Sequence, residues 1–192
     1  DPRSTDTDND GLPDSWEYAR GTDPSSAEGV DGADGDPDED GLTNAEERSN
    51  LTQPLNPDTD GDGLPDGWEV DNELDATVAA GAQGGDGDPD NDGANNVTEF
   101  SENTDPQDRD TDGDDLPDGW EIANGLNPGS VEPPDGRDDD PDKDDRTNYE
   151  EYLSGTNPML FEDPARDSDG DGIPDVDEFR PENNTDPYLM DT

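Results

Sequence analysis

Apolar side chains are sparse in this chain, and they recur at fixed distances from short runs of alternating aspartates. The clearest run is Asp58–Glu69, DTDGDGLPDGWE, whose residues we number as loop positions 1 to 12. Position 7 of this run is a leucine, position 11 is a tryptophan, and the next apolar residue follows at position 13. Each such run therefore carries a small apolar cluster at fixed positions among its acidic residues.

The same frame recurs seven times along the chain. Every copy has Asp at positions 1, 3 and 5, Asp or Asn at position 9, and Glu at position 12. One match in an acidic chain could arise by chance, but seven in one frame indicate an internal repeat. We number the copies loop 1 to loop 7: Asp6–Glu17, Asp36–Glu47, Asp58–Glu69, Asp88–Glu99, Asp110–Glu121, Asp140–Glu151 and Asp167–Glu178.

Two kinds of loop alternate. Odd-numbered loops have Pro at position 8, and even-numbered loops have Pro at position 2 and Asn at position 9. Odd to even starts are 30 residues apart, and even to odd starts are 22, 22 and 27 residues apart, which gives a unit of 52 residues present three and a half times. We therefore predict repeat units at 1–57, 58–109 and 110–166, with an insertion near 159–161, and a half unit with the tail at 167–192.

Short helices are expected after the odd-numbered loops. Proline at position 8 suits the first turn of a helix, where its missing N–H costs nothing. The helices should run to about Arg20, Asn72 and Asn124, and Gly21 and Gly125 supply two of the C-terminal stops. At about two turns each, these helices are too short to persist alone.

The even-numbered loops carry a different helix signal. Thr43 and Thr147 each precede a glutamate by three residues, which predicts a capping box, and Asn95 replaces the threonine in loop 4. The connectors Gly29–Gly35 and Ala79–Gly87 are rich in glycine, and we expect them to be irregular.

The repeated residues suit a hard cation. Calcium takes six to eight oxygens at about 2.3–2.6 Å, and a 12-residue loop can offer side chains from positions 1, 3, 5, 9 and 12 with the carbonyl of position 7. Glycine at position 6 permits the sharp turn. The carboxylates would repel one another without a cation. Because the ligands are oxygens only and the chain has no His or Cys, we predict Ca²⁺ over Zn²⁺.

The predicted cofactor is therefore Ca²⁺, seven or more ions per chain, with six ligand positions in each loop. In the odd-numbered loops the predicted ligands are Asp6, Asp8, Asp10, Leu12, Asp14, Glu17, Asp58, Asp60, Asp62, Leu64, Asp66, Glu69, Asp110, Asp112, Asp114, Leu116, Asp118, Glu121, Asp167, Asp169, Asp171, Ile173, Asp175 and Glu178. In the even-numbered loops they are Asp36, Asp38, Asp40, Leu42, Asn44, Glu47, Asp88, Asp90, Asp92, Ala94, Asn96, Glu99, Asp140, Asp142, Asp144, Arg146, Asn148 and Glu151. Position 7 contributes its carbonyl. Three further aspartates, Asp34, Asp86 and Asp138, could capture additional ions.

Composition makes the metal necessary. Of 192 residues only 22% are hydrophobic, 35% are charged, and the formal net charge is −50. Such a mixture alone predicts disorder, and no cysteine is present to form disulfides, so metal must stabilise a small core. The charge argues against nucleic acid and anionic membranes as partners, and no apolar run approaches the roughly 20 residues of a membrane span. Weak, open calcium loops fill outside cells, which predicts an extracellular or cell-surface protein.

At this point the chain resembles thrombospondin type 3 repeats, in the helix-bearing form of secreted bacterial and archaeal proteins. The resemblance rests on four odd-numbered loops and on two turns, GTDP and GTNP: Asp6–Glu17, Asp58–Glu69, Asp110–Glu121, Asp167–Glu178, Gly21–Pro24 and Gly155–Pro158. It implies little regular secondary structure, an elongated array of calcium-bound EF-hand-like loops, a role as stalk or spacer, and no catalysis. Asp115 and Asp145 depart from glycine at position 6, and Lys143 and Arg146 place basic groups in loop 6.

Two neighbouring families remain open. In paired EF-hands, position 8 of two loops exchanges backbone hydrogen bonds, but Pro13, Pro65, Pro117 and Pro174 have no N–H to donate. Dockerin modules use a longer helix after the loop for partner binding.

Three classes of function follow. The first is a rod, stalk or filament subunit made rigid by calcium, and the second is an adhesion or recognition module for glycan, mineral or protein. An enzyme is not expected, since every close carboxylate pair belongs to a loop. Trp16, Trp68 and Trp120 serve either as a sugar-stacking platform or, more simply, as covers of their own helix–loop junctions.

Self-association end to end is also expected, since stacked repeats without caps leave an open face. The apolar clusters Met159–Phe161 and Tyr188–Met190 are the candidate contacts with another copy, or else they cover neighbouring loops.

Overall fold

The computed structural model describes residues 5–161. Within this range all helices are short, at six or seven residues, and no strand is formed. The α-helices are α1 Asp14–Arg20, α2 Asn44–Asn50, α3 Asp66–Asp71, α4 Asn96–Glu102, α5 Asp118–Asn124 and α6 Asn148–Ser154, and 3-10 turns form at Gly29–Asp31 and Gly81–Gln83. The expected scarcity of regular structure is confirmed, while the count of seven loops and the 52-residue unit stay predictions. None of the helices in the described range has the length and apolar character needed to cross a membrane.

The chain divides into two compact units. The first comprises Asp1–Pro89 and Asn95–Ser101, and the second comprises Asp90–Ala94 and Glu102–Thr192, of which the structure describes the residues up to 161. Loops 1, 2 and 3 lie in the first unit, and loops 5 and 6 lie in the second. Loop 4 is divided between them. The repeat boundaries predicted from the spacing are a separate matter and stay predictions.

Every helix begins at loop position 9, one residue later than expected for the odd-numbered loops. Pro13, Pro65 and Pro117 are N-cap residues with ψ of 135–138°, and not the first helical residues. The extended ψ turns the chain so that the aspartate at position 9 enters the first turn of the helix. The prediction that proline opens the helix was therefore wrong by one residue.

The other helix boundaries agree with the sequence. α1 and α5 end at Arg20 and Asn124, and Gly21 and Gly125 follow in the left-handed conformation with φ of 92° and 78°. Thr43 and Thr147 both form the complete capping box. In loop 4 the N–H and hydroxyl of Thr98 both donate to Asn95 Oδ1, so asparagine replaces threonine as the cap.

The glycine-rich connectors contain no helix or strand beyond one 3-10 turn each, as expected of irregular segments, but hydrogen bonds fix their path. Asn44 Nδ2, at position 9 of loop 2, donates to the carbonyls of Val30 and Gly32 at 2.9 and 2.8 Å. A Cβ added at Gly35 would lie 2.4 Å from the Val30 carbonyl oxygen, so this close approach requires glycine. Asn96 holds the next connector in the same way, through the carbonyls of Ala82 and Gly84. The position-9 asparagine therefore fixes each connector against its own loop.

Small apolar groups and a repeated hydrogen bond join successive loops within each unit. Leu12, Leu64 and Leu116, all at position 7, are at most 1% exposed. At position 5, Asp10 Oδ2 accepts a hydrogen bond from the N–H of Ala33 at 2.8 Å, and Asp62 Oδ2 accepts one from Gly85 at 2.6 Å. In the second unit, the corresponding pairs are Asp92 with Gly119 and Asp114 with Arg137. One carboxylate thus belongs to its own loop and also holds backbone 23 or 27 residues further along.

Two of the three tryptophans pack against an aromatic ring from the following helix. The ring centroids of Trp68 and Phe100 are 5.4 Å apart with the planes at 66°, and those of Trp120 and Tyr152 are 5.5 Å apart at 67°. The simpler expectation, that each tryptophan covers only its own junction, was therefore incomplete. These edge-to-face contacts link position 11 of one loop to position 13 of the next.

We expect Phe100→Leu to lower the free energy of unfolding by about 0.5–1.5 kcal/mol and to weaken the near-ultraviolet dichroism of tryptophan, because it removes the ring that packs against Trp68. Tyr18→Leu is the matched control, because Tyr18 also occupies position 13 but is 85% exposed. Equal effects of the two substitutions on stability and dichroism would show that the ring contact contributes nothing.

Candidate metal centres

Three aspartates converge at the start of loops 1, 2, 3 and 5. One carboxylate oxygen from each of positions 1, 3 and 5 lies within 4.8 Å of the other two in loops 1, 2, 3 and 5. Like charges at this separation repel strongly unless a cation or protons compensate them. The structure therefore brings the predicted ligands at these positions together.

The aspartate at position 1 closes the turn. Asp58 Oδ1 accepts from the N–H of Gly61 at 2.7 Å, and its Oδ2 accepts from the N–H of Gly63 at 3.0 Å. Loops 1, 2, 5 and 6 repeat both bonds. Gly63 has φ of 102°, as the sharp turn at position 6 requires, and Asp115 and Asp145 adopt the same left-handed region at 76° and 73°. The turn therefore survives the two departures from glycine.

Position 4 is a second left-handed position that sequence reasoning missed. Asn9, Asn91, Glu39 and Lys143 all have φ between 61° and 67° there. The available signal was compositional, because asparagine and glycine are the residues that tolerate this region best and they fill position 4 in loops 1, 3, 4 and 5. Glu39 and Lys143 are the exceptions, and the surrounding turn must hold them in place.

The glutamate at position 12 is fully buried in loops 1, 2, 3 and 5. Glu17, Glu47, Glu69 and Glu121 are 0% exposed, and neither carboxylate oxygen of any of them accepts a hydrogen bond. At position 3, one carboxylate oxygen accepts a hydrogen bond from the backbone N–H at position 5, and the second oxygen is buried without a hydrogen-bond partner, in Asp8, Asp60, Asp112 and Asp142. A buried carboxylate without donors is strongly unfavourable unless a cation or a proton neutralises it.

The cost of burying the position-12 carboxylates as anions is visible in their raised pKa values. Burial, and then the aspartates of the same loop, raise the pKa of Glu69 from 4.5 to about 8 and that of Glu121 to about 9. The same causes raise the pKa of Glu47 to about 8 and that of Glu17 to about 7. Each glutamate thus lies within the field of its own aspartates, in the arrangement that would ligate a divalent ion.

Position 9 has different partners in the two kinds of loop. In loops 1, 3 and 5 both carboxylate oxygens of the aspartate at position 9 accept from the threonine at position 2. In loop 3, Thr59 N–H and Oγ1 donate to Asp66 at 2.7 and 2.6 Å. In the even-numbered loops position 2 is proline, and the asparagine at position 9 donates to the connector instead. Its Oδ1 is buried and accepts no hydrogen bond in Asn44, Asn96 and Asn148. Sequence reasoning missed these bonds, although a signal was available. Positions 2 and 9 are Thr and Asp in loops 1, 3 and 5, and Pro and Asn in loops 2, 4 and 6.

The third repeat carries two substitutions that compensate one another, one in loop 5 and one in the connector before loop 6. Arg137 forms an ion pair with Asp115 and lies over the ring of Tyr149, with the guanidinium carbon 3.6 Å from the ring centroid. The first two repeats have Ala33 and Gly85 where Arg137 lies. The extra negative charge at position 6 of loop 5 is therefore balanced by a cation that the other repeats lack.

Some predicted ligands are described only in part. In loop 4, Asn96 and Glu99 are fully buried in the first unit, and the N–H of Ala94 donates to Asp92 Oδ1 in the second. Loop 7 lies outside the described residues, as does the cluster Tyr188–Met190. The proposed extra ligands Asp34, Asp86 and Asp138 are exposed. The ligand role of each individual residue stays a prediction.

These donors fit a hard cation. In loops 1, 2, 3 and 5 the buried oxygens at positions 3 and 12 belong to carboxylates, and no nitrogen or sulfur ligand is available because the chain has no His or Cys. Glutamate at position 12 can offer both oxygens to one ion. These residues could hold Ca²⁺, and the ion would supply the charge that the buried carboxylates need.

Comparison with known proteins supports this assignment. A family model described as the bacterial TSP3 repeat matches residues 6–27, 36–57 and 58–73, which contain the whole of loops 1, 2 and 3. The resemblance to thrombospondin type 3 repeats is thus confirmed at these three segments. No curated protein and no solved structure matches the chain significantly.

We expect Glu69→Gln to remove one bound calcium ion per chain, since glutamine keeps the shape of the side chain but supplies neither the charge nor two carboxylate oxygens. The affinity of loop 3 should fall by about tenfold or more. Glu73→Gln is the control, because Glu73 is an exposed glutamate just after the same helix. Native mass spectrometry that finds the same ion count in both variants would contradict the role assigned to Glu69.

The raised pKa values of the position-12 glutamates predict an unusual pH dependence for the stability of the metal-free protein. The folded chain holds protons on Glu17, Glu47, Glu69 and Glu121 more tightly than the unfolded chain does, so their contribution favours folding below about pH 4.5. That contribution is lost as the pH rises through about 7 to 9. Tryptophan dichroism in metal-free buffer should therefore be stronger at acidic pH than at alkaline pH, and the opposite order would contradict the burial of these groups.

Proposed function

We propose that the chain is an extracellular calcium-binding structural protein, a rod, stalk or filament subunit whose loops are made rigid by bound Ca²⁺. The observation that carries this proposal is the set of position-12 glutamates, fully buried in loops 1, 2, 3 and 5 with both oxygens free of hydrogen bonds. A soluble acidic surface would leave such groups in water. Their burial makes sense when each one faces an ion.

Calcium is favoured over other cations by the donors. Zinc prefers nitrogen and sulfur ligands, which this chain does not contain, and magnesium keeps several of its waters and is seldom enclosed by protein oxygens alone. A loop that surrounds its ion with carboxylates and one carbonyl suits the larger and more flexible coordination of calcium. Millimolar calcium is found outside cells, which is the basis for the proposed location.

A structural role for the ions is supported by the shortness of the helices, which need a further contact to stay folded. Helices of six or seven residues do not persist alone, and the position-12 glutamate lies one turn into each of them. An ion bound to that glutamate and to the aspartates would pin the helix to its loop. The hydrogen bonds from position 5 to the next loop and the two tryptophan contacts would then transmit that order along each unit.

The adhesion alternative lacks a comparable observation. It would use either the acidic face or the tryptophans as a stacking platform, and part of the ring of Trp68 and of Trp120 already contacts Phe100 and Tyr152. Met159, Leu160 and Phe161 are exposed, at 48%, 62% and 60%, and they remain the proposed contacts for end-to-end association. We propose no catalytic activity.

We expect seven or more calcium ions per chain by native mass spectrometry, and we expect a chelator to abolish the tryptophan dichroism reversibly. Each site at 100 times its dissociation constant adds about 2.7 kcal/mol to stability, so several sites together would dominate the folding of a chain with so small a core. Four or fewer ions, or dichroism that survives chelation, would contradict calcium as the stabilising group.

Small-angle scattering separates the structural role from calcium binding itself. A compact chain of this length has a radius of gyration of about 16 Å. The proposed rod requires a clearly larger value with calcium present, and a compact calcium-bound monomer, unchanged on dilution, would contradict the rod while leaving calcium binding intact.

A further inference from the structure

Loop 6 has a positive charge where the comparable loops have an apolar side chain. Position 7 is Leu42 in loop 2, Ala94 in loop 4 and Arg146 in loop 6. Arg146 is only 6% exposed, nearly as buried as Leu42 at 5%. The guanidinium therefore occupies the space between the loop and its helix that leucine fills in loop 2.

The backbone of Arg146 is anchored to the loop, and its buried guanidinium is anchored to helix α6. The backbone N–H of Arg146 donates to Asp144 Oδ1 at 2.9 Å, as the residue at position 7 does in the other described loops. Its Nη2 donates to the carbonyl of Glu150 at 3.2 Å and to Ser154 Oγ. Ser154 in turn donates to the Glu150 carbonyl at 2.8 Å. These contacts hold the charge inside the loop–helix unit, against the segment that carries Glu151.

A fixed buried cation must affect a calcium site built around it. Arginine stays protonated at any physiological pH, and salt screens a buried charge poorly. As a general estimate, one positive charge within about 10 Å of a divalent ion, at an effective dielectric constant of about 20 to 40, would lower the affinity for that ion by about tenfold or more. The same charge attracts the carboxylates of the loop when no calcium is bound.

We infer that Arg146 makes loop 6 a weaker calcium site than loop 2, and that its guanidinium partly replaces the ion in holding α6 to the loop. This inference rests on the proposed calcium binding. It gives the chain one segment that stays ordered at calcium concentrations too low to fill its loop. Lys143, also in loop 6, is exposed and therefore screened by water, so we assign it no comparable effect.

The test is a calcium titration of the full chain, stripped of metal, followed by NMR at two matched amides. The N–H of Gly41 donates to Asp36 Oδ2 in loop 2, and the N–H of Asp145 donates to Asp140 Oδ2 in loop 6, so each amide reports on its own site. In the wild type we expect Asp145 to respond at a calcium concentration about tenfold or more above that for Gly41.

Four variants separate charge from packing. Arg146→Leu should lower the midpoint at Asp145 by about tenfold or more, whereas Arg146→Lys keeps the charge and should leave it high. Leu42→Arg should raise the midpoint at Gly41, which tests the same effect in loop 2 should Arg146→Leu fold poorly. Lys143→Gln is the control for an exposed charge and should change the midpoint by at most about fivefold.

Hydrogen exchange without calcium supplies the second readout. We expect the amides of α6 to be better protected than those of α2 in the wild type, and we expect Arg146→Leu to remove that difference. Equal calcium midpoints at Gly41 and Asp145 in the wild type, or no tightening of loop 6 in Arg146→Leu, would overturn the inference and leave the proposed function standing. If neither amide responds to calcium, both fail.

Discussion

The structure depends on one unfavourable group repeated along the chain, a glutamate carboxylate buried without a hydrogen-bond donor. Burial, and then the nearby aspartates of the same loop, raise the pKa of Glu69 to about 8 and that of Glu121 to about 9. A protein with 22% hydrophobic residues has too little core to offset such a cost. The proposed divalent cation in each loop would neutralise these groups and make them the main stabilising contacts of the chain.

Successive loops within a unit are linked by single hydrogen bonds and by pairs of aromatic rings. Asp62 closes its own turn with one oxygen and holds the N–H of Gly85 with the other, and Trp68 meets Phe100 edge to face. A change in one loop is therefore felt in the next within the same unit. Arg137 and Arg146 show how the third repeat departs from the first two, each with a cation beside a loop where the others have small or apolar residues.

Much of the fold could be read from the sequence because its determinants are local. The 12-residue frame, the capping boxes of Thr43 and Thr147 and the glycine stops follow from neighbouring residues. The connector clamp by Asn44 joins residues 12 to 14 apart in sequence, and the Trp68–Phe100 contact joins residues 32 apart, so neither is visible in local patterns. At the site, the glutamates at position 12 were predicted as ligands, whereas the bond between Thr59 and Asp66 could be found only by comparing the two kinds of loop.

The most direct test of the account is to locate the ions themselves in a crystal of the calcium-loaded protein by anomalous scattering, with a lanthanide exchanged for calcium to strengthen the signal. The account predicts one peak in each of loops 1, 2, 3 and 5, about 2.3–2.6 Å from the carboxylate oxygens of the position-12 glutamate for calcium itself. Peaks confined to the exposed aspartates, with these glutamates left buried and unligated, would contradict it.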